Sequence, residues 1–199
     1  MASRYRMPII RRLRASRSGV AMVEFALLLP LLIVILFGTM EVTQLVIAKR
    51  RLNLLVYALG DLTSQSQTIS SSDVADIFGA AGTILSPLST SNLQMRISSI
   101  IVYTTGKTCV DWSKTSGAGI TPLSAGSTTY TMPTAITSSP ATSTRDFIVA
   151  EAAYPLSLST HGFLKTTITL TEGPTYIIPR QSARVTGDTT IQSSSPCTS

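Results

Sequence analysis

"SGVAMVEFALLLPLLIVILFGTMEV", residues 18–42, is the stretch on which the reading of this chain turns. Phe25 to Met40 carries no charge. At about 1.5 Å per helical residue, those 16 residues cover about 24 Å. A bilayer core is about 30 Å thick. The flanking carboxylates, Glu24 and Glu41, therefore sit near the two interfaces, or tilt and local thinning accommodate them. Apolar residues from Val42 to Ala48 extend the run beyond the length a membrane helix needs. Pro30 lies inside it. Proline costs about 3 kcal/mol in a soluble helix, whereas a membrane helix tolerates the kink through its neighbours. One membrane-spanning helix is predicted, and Glu24, five residues after Gly19, is the charge that needs a reason.

On the N-terminal side, Arg4, Arg6, Arg11, Arg12, Arg14 and Arg17 all precede Gly19, with no acid among them. They carry the whole net charge of +6, because from Val20 onward ten Lys or Arg balance ten Asp or Glu. A nucleic-acid surface needs basic residues clustered on the folded part. Here they are scattered after the leader, apart from Lys49-Arg50-Arg51, so no nucleic-acid partner is expected. Basic residues favour the cytoplasmic side of a membrane. The N-terminus should then be cytoplasmic and the body on the far side of the membrane, with the chain crossing it once. Residues 1–19 read as a basic leader. No small-x-small cleavage site follows the apolar run, so the helix is expected to stay in the mature protein.

On the C-terminal side, Val42, Leu45, Val46, Lys49, Leu52, Val56 and Leu59 recur at helical spacing. The helix is predicted over 20–60, stopping at Gly60-Asp61. Residues 61–186 read as a small α+β head and 187–199 as a loose tail. Within the head, Thr63–Ser72 reads as a polar linker. "SSSDVADIFGAAGTILSPL" (70–88) has a serine cap, Asp73 and Asp76 in its first turn, and Pro87 at its end, and predicts a second helix. "MRISSIIVYT" (95–104), "DFIVAEAAYPLSL" (146–158) and "FLKTTITLTEG" (163–173), followed by "TYIIPRQSARV", read as strands of an antiparallel sheet. In the second of these, Phe147, Val149, Glu151 and Ala153 share one face, and Ile148, Ala150, Ala152 and Tyr154 the other. Gly106–Pro140 reads as a long loop with a short strand at Thr128–Met132. About 50 of the 137 residues from Thr63 onward are Ser or Thr, as in many secreted β proteins. The same composition would suit disorder, but the alternating runs argue for a fold.

Cys109 and Cys197 are the two cysteines, and in an oxidising compartment they allow one disulfide. Left unpaired, they would be one loop thiol and one tail thiol. His161 is the single histidine, and no HExxH, CxxC or Gly-rich phosphate loop appears. Asp111-Trp112 reads as a packing point. No catalytic residue, metal site or cofactor is expected, and the chain is read as not an enzyme.

The basic leader, Gly19, four residues, Glu24, Phe25 and an apolar helix together resemble the TadE-like proteins, minor pilins (pseudopilins) of the tight-adherence (Tad, or Flp) type IV pili. The likeness is carried by "VEFAL" and the proline that follows it, and extends over about residues 17–60. It is weaker in "ILSPL", "IVAEAAYPL" and "YIIPR". It implies that a prepilin peptidase cuts between Gly19 and Val20. Glu24 then becomes the fifth mature residue and Phe25 the sixth, both serving pilin assembly. A buried carboxylate is costly unless paired, and the new Val20 amine of a neighbouring subunit would pair with Glu24. The resemblance further implies, as partners, the inner membrane, the prepilin peptidase, other minor pilins, the major pilin and the pilus assembly platform. The role it implies is to initiate or prime pilus assembly for surface adhesion. The rival reading is a single-pass envelope scaffold or periplasmic binding protein that keeps its leader. In that case Glu24 is only an interfacial charge near a helix N-terminus. An anchored periplasmic hydrolase would need a catalytic cluster that the sequence does not show.

Overall fold

A computed structural model describes residues 18–137, 143–160, 164–191 and 197. The chain divides between Gln44 and Leu45 into two compact units. Helix α1, Ser18–Ser64, begins in the first and ends in the second, and passes Pro30 without a break. In the first unit it is the only described element, and its apolar side chains from Val20 to Val42 are exposed except for the half-buried Phe37.

The second unit is an α+β head. Its elements after α1 are β1 (Thr68–Ile69), α2 (Ser71–Gly82), a 3₁₀ turn (Thr83–Leu85), β2 (Gln94–Val102) and β3 (Thr108–Ser116). Then follow a single helical turn, α3 (Thr134–Thr137), β4 (Arg145–Thr160), β5 (Leu164–Ile177) and β6 (Thr186–Gly187). Four strands form an antiparallel sheet in the order β3-β2-β4-β5, and β1 pairs with β6 in a small parallel ribbon. The predicted fold class, a long N-terminal apolar helix followed by a head with a second helix and an antiparallel sheet, is the observed one.

Packing follows from the sequence periods. On α1, Ala48, Leu52, Leu55, Val56 and Leu59 are buried, at three- and four-residue steps. Each fully buried leucine contributes about 1.5–3 kcal/mol relative to exposure. They share the main core with Val74, Phe78 and Ala81 of α2 and with Ile97, Trp112, Ile148 and Ala150 of the sheet. Ser70 caps α2 by accepting the Asp73 N–H, while the Asp73 carboxylate accepts the Ser70 N–H at 2.8 Å. A second core of Ile100, Val102, Val110, Phe147 and Val149 lies with Met132, and Leu123, Tyr130 and Ile136 pack against it.

Four expectations need correction. Helix α1 does not stop at Gly60 but runs to Ser64. Gly60 is buried, and a Cβ there would come within 2.5 Å of Ile177 Cδ1. The glycine thus serves close helix–sheet approach rather than termination. The Gly106–Pro140 loop contains strand β3. Its register against β2 shifts between Ser99 and Ile100. Val110 and Trp112 consequently enter different cores although they are two residues apart, which hides the alternation. Thr128–Met132 is not a strand; the Tyr130 carbonyl accepts the Thr108 hydroxyl at 2.6 Å and Met132 packs into the second core. Finally, the tail is held at least to Ile191. Thr186–Gly187 pair with β1, the Asp188 N–H donates to the Ile69 carbonyl at 2.9 Å, and Ile191 is buried.

Candidate functional site

Gly19 is the second residue of α1 and Val20 the third. A Cβ built on Gly19 meets nothing within 4 Å, so no steric need within the chain explains glycine there. Glu24 lies one turn beyond Val20 on nearly the same helix face. Helical side chains lean toward the N-terminus, so the Glu24 side chain leans back toward Val20. Val20, Glu24 and Phe25 are all exposed in the single chain.

The helix beyond them is long and apolar enough to cross a membrane, and none of its most apolar 18-residue window is buried within the chain. A core helix of a soluble protein would bury that window. Thr39 and Thr43 turn their hydroxyls onto the Leu36 and Thr39 carbonyls at 2.8 and 2.7 Å. No hydroxyl of the two is then left needing water.

Residues 19–59 match the TadE-like protein family. This TadE-like segment starts at Gly19 and ends at Leu59, the last buried leucine of α1. The match covers about a fifth of the chain and none of the head beyond Leu59. No curated protein and no solved structure matches the chain.

C-terminal to the TadE-like segment, the head carries a buried polar clamp that sequence reading did not assemble. The side chain of Asp111 is fully buried and ion-pairs with Arg184. Asp146 accepts the Ser99 hydroxyl at 2.8 Å and the Val185 N–H at 3.0 Å. Trp112 donates its indole N–H to the Val185 carbonyl at 2.9 Å. Residues 184 and 185 are thus fixed to β3 and β4 by three side chains, and Ser99 of β2 steadies one of them, Asp146. Burial pushes the Asp146 carboxyl up to about 6, and the nearby Asp111 charge adds to this; the two hydrogen bonds and Arg184 act against it. The sequence signal was present only as acids within apolar runs, "VDW" and "RDFIV". Their partner, Arg184, lies 73 residues from Asp111.

Cys109 and Cys197 form a disulfide with Cα atoms 6.0 Å apart, closing a sequence separation of 88 residues. On the other sheet face, Arg96 pairs with Glu151, and its Nη1 donates to the Thr121 carbonyl at 3.0 Å, which ties the 117–133 loop to β2 and β4. His161 lies outside the described residues, as does the leader up to Arg17. Gly19, Val20, Glu24 and Phe25 belong to the first unit and the two cysteines to the second.

Proposed function

We propose that this protein is a minor pilin (pseudopilin) of a Tad-type pilus system, anchored by α1 in the bacterial inner membrane, which helps to initiate or prime pilus assembly for adhesion. The observation that carries this reading is the TadE-like match beginning at Gly19, with Glu24 five residues on. In this reading residues 1–19 are a leader on the cytoplasmic side, removed by a prepilin peptidase after Gly19. The mature chain starts at Val20, and the head from residue 61 onward lies in the periplasm, where an oxidising environment sustains the Cys109–Cys197 disulfide. The six leader arginines support this orientation.

Assembly then proceeds by packing and not by catalysis. Cleavage frees an α-amine at Val20. Glu24 lies four residues beyond Val20, about 6 Å further along the helix axis, so subunits offset by about that length can pair amine with carboxylate. Pairing offsets the cost of a desolvated acid and sets axial register. Sibling minor pilins, the major pilin and the assembly platform are the partners this reading names. Mass spectrometry of the membrane-extracted protein tests it. An N-terminus at Val20 is expected, and Gly19→Val should leave the chain uncut. A mature chain retaining Gly19 in cells that make the peptidase would overturn the reading in favour of an uncleaved envelope scaffold.

A further inference from the structure

The sheet ends at one side in β3 and at the other in β5. The β3 edge is closed: the Val110 N–H donates to the Ser127 carbonyl at 2.9 Å, and the Gly126 N–H donates to the Val110 carbonyl at 2.8 Å. Among the described residues, no backbone group bonds to Thr167–Leu170 from beyond β5. Open edges are ordinarily guarded by lysine, proline, inward charges or bulges. On β5, Lys165 precedes and a bulge at Gly173-Pro174 follows, but Thr167-Ile168-Thr169 between them has none of these and is exposed.

The register says which groups point outward. In an antiparallel ladder, successive residues bond alternately to one neighbour and the other. Pro155 of β4 lies opposite Thr169 and has no N–H to give. Seated as the non-bonded pair, it turns the Thr169 N–H and C=O to the open edge, and those of Thr167 with them. The Thr171 carbonyl belongs to the same set and is already taken by Lys49 Nζ at 3.2 Å, a side chain that also ion-pairs with Glu172 at 2.8 Å. Toward the β4–β5 turn the ladder runs on to Leu164, so the open edge spans residues 164–169 with the backbone groups of Lys165, Thr167 and Thr169 turned outward, and Ile168 lies between the last two.

We infer that this edge pairs antiparallel with the same edge of a second copy of the chain, about a two-fold axis at Ile168. A two-fold pairing is self-complementary. Centred there, Thr167 faces Thr169 of the other copy, and each pair exchanges an N–H and a C=O in both directions. Ile168 faces Ile168 as a close, non-bonded pair on the side occupied by the buried Leu170. No charge is placed opposite another within Thr167–Thr169, and two four-stranded sheets become one. The association is weak, because the shared edge is short, and it needs no other protein.

The test uses the full-length chain in cells. In Ile168→Cys, the added thiols would face one another about 4.5 Å apart at Cα, within disulfide range, while the native cysteines are occupied with each other. Mild copper-phenanthroline oxidation should give a band of twice the monomer mass, much stronger than that from Ile178→Cys, an exposed control. Adding Thr167→Lys and Thr169→Lys places lysine opposite lysine twice and should cut the band about 3- to 30-fold. Co-expressing that chain with a differently tagged Thr167→Glu/Thr169→Glu chain, both carrying Ile168→Cys, should restore a mixed dimer. No dimer from Ile168→Cys overturns the inference, as does a dimer indifferent to the lysines. An adduct of another mass would assign the edge to a different protein and also overturn it.

Discussion

Asp146 makes head stability depend on pH in a direction opposite to most surface carboxylates. Its carboxyl is pushed from an ordinary 3.8 to about 6, chiefly by burial. The folded head therefore holds this proton about two units more tightly than the unfolded chain, a difference of about 3 kcal/mol at 1.36 kcal/mol per unit. A raised folded value means the contribution is fully present below about 3.8 and is lost as pH rises through about 6. Between pH 4 and 7 this one group should lower the unfolding free energy by up to about 3 kcal/mol. Trp112 is the single tryptophan, fully buried and bonded to Val185, so its fluorescence reports on the clamp itself. Urea unfolding of the detergent-solubilised full chain would be followed by that signal at pH steps from 4 to 8. Wild type should lose stability across pH 5–7, and Asp146→Asn should lose the slope whatever its absolute stability. An identical pH slope in Asp146→Asn would refute the reasoning. Asp73 works the other way. The Ser70 hydroxyl and N–H hold its carboxyl below the usual value, so its contribution is present above the unfolded value and fades at more acid pH, outside this window.

Glu24→Ala should leave membrane insertion and cleavage intact yet cut pilus number about 100-fold or more, because unpairing a desolvated charge costs about 3–5 kcal/mol; Glu24→Gln should be milder, and wild-type counts with Glu24→Ala at matched protein level would reduce the carboxylate to an interfacial charge. Arg184→Ala should destabilise the head by about 3 kcal/mol, since it strands the fully buried Asp111 carboxylate; an unchanged urea midpoint by Trp112 fluorescence would mean that the pair is dispensable. Cys109→Ser should cost about 2–5 kcal/mol by freeing a loop of 88 residues' separation, and reductant should bring wild type to the same midpoint; a wild type indifferent to reductant would argue against the bridge.

Sequence alone determined the elements whose stabilisation is local or strictly periodic. The apolar run of α1 and the Ser70–Asp73 capping box need only neighbours along the chain, β2 is a run rich in isoleucine and valine, and β4 alternates over many residues. Gly19, Glu24 and Phe25 sit in that first legible run, which is the segment that matches the TadE-like family. Tertiary structure decided everything that depends on contacts distant in sequence. Strand β3 was unreadable because a register shift at Asp111 breaks its alternation and because Ser and Thr suit a strand only when β2 lies beside them. Gly60 looked like a stop because nothing nearby in sequence announces Ile177, whose approach makes a missing side chain an advantage. The tail looked loose until β1 and the fully buried Ile69 gave it a partner more than a hundred residues upstream. The clamp shows the same limit most sharply. A buried acid is written into the sequence as an ordinary Asp; only the fold brings Arg184, Ser99 and the Val185 N–H to it, and only then does burial rather than charge count set its chemistry.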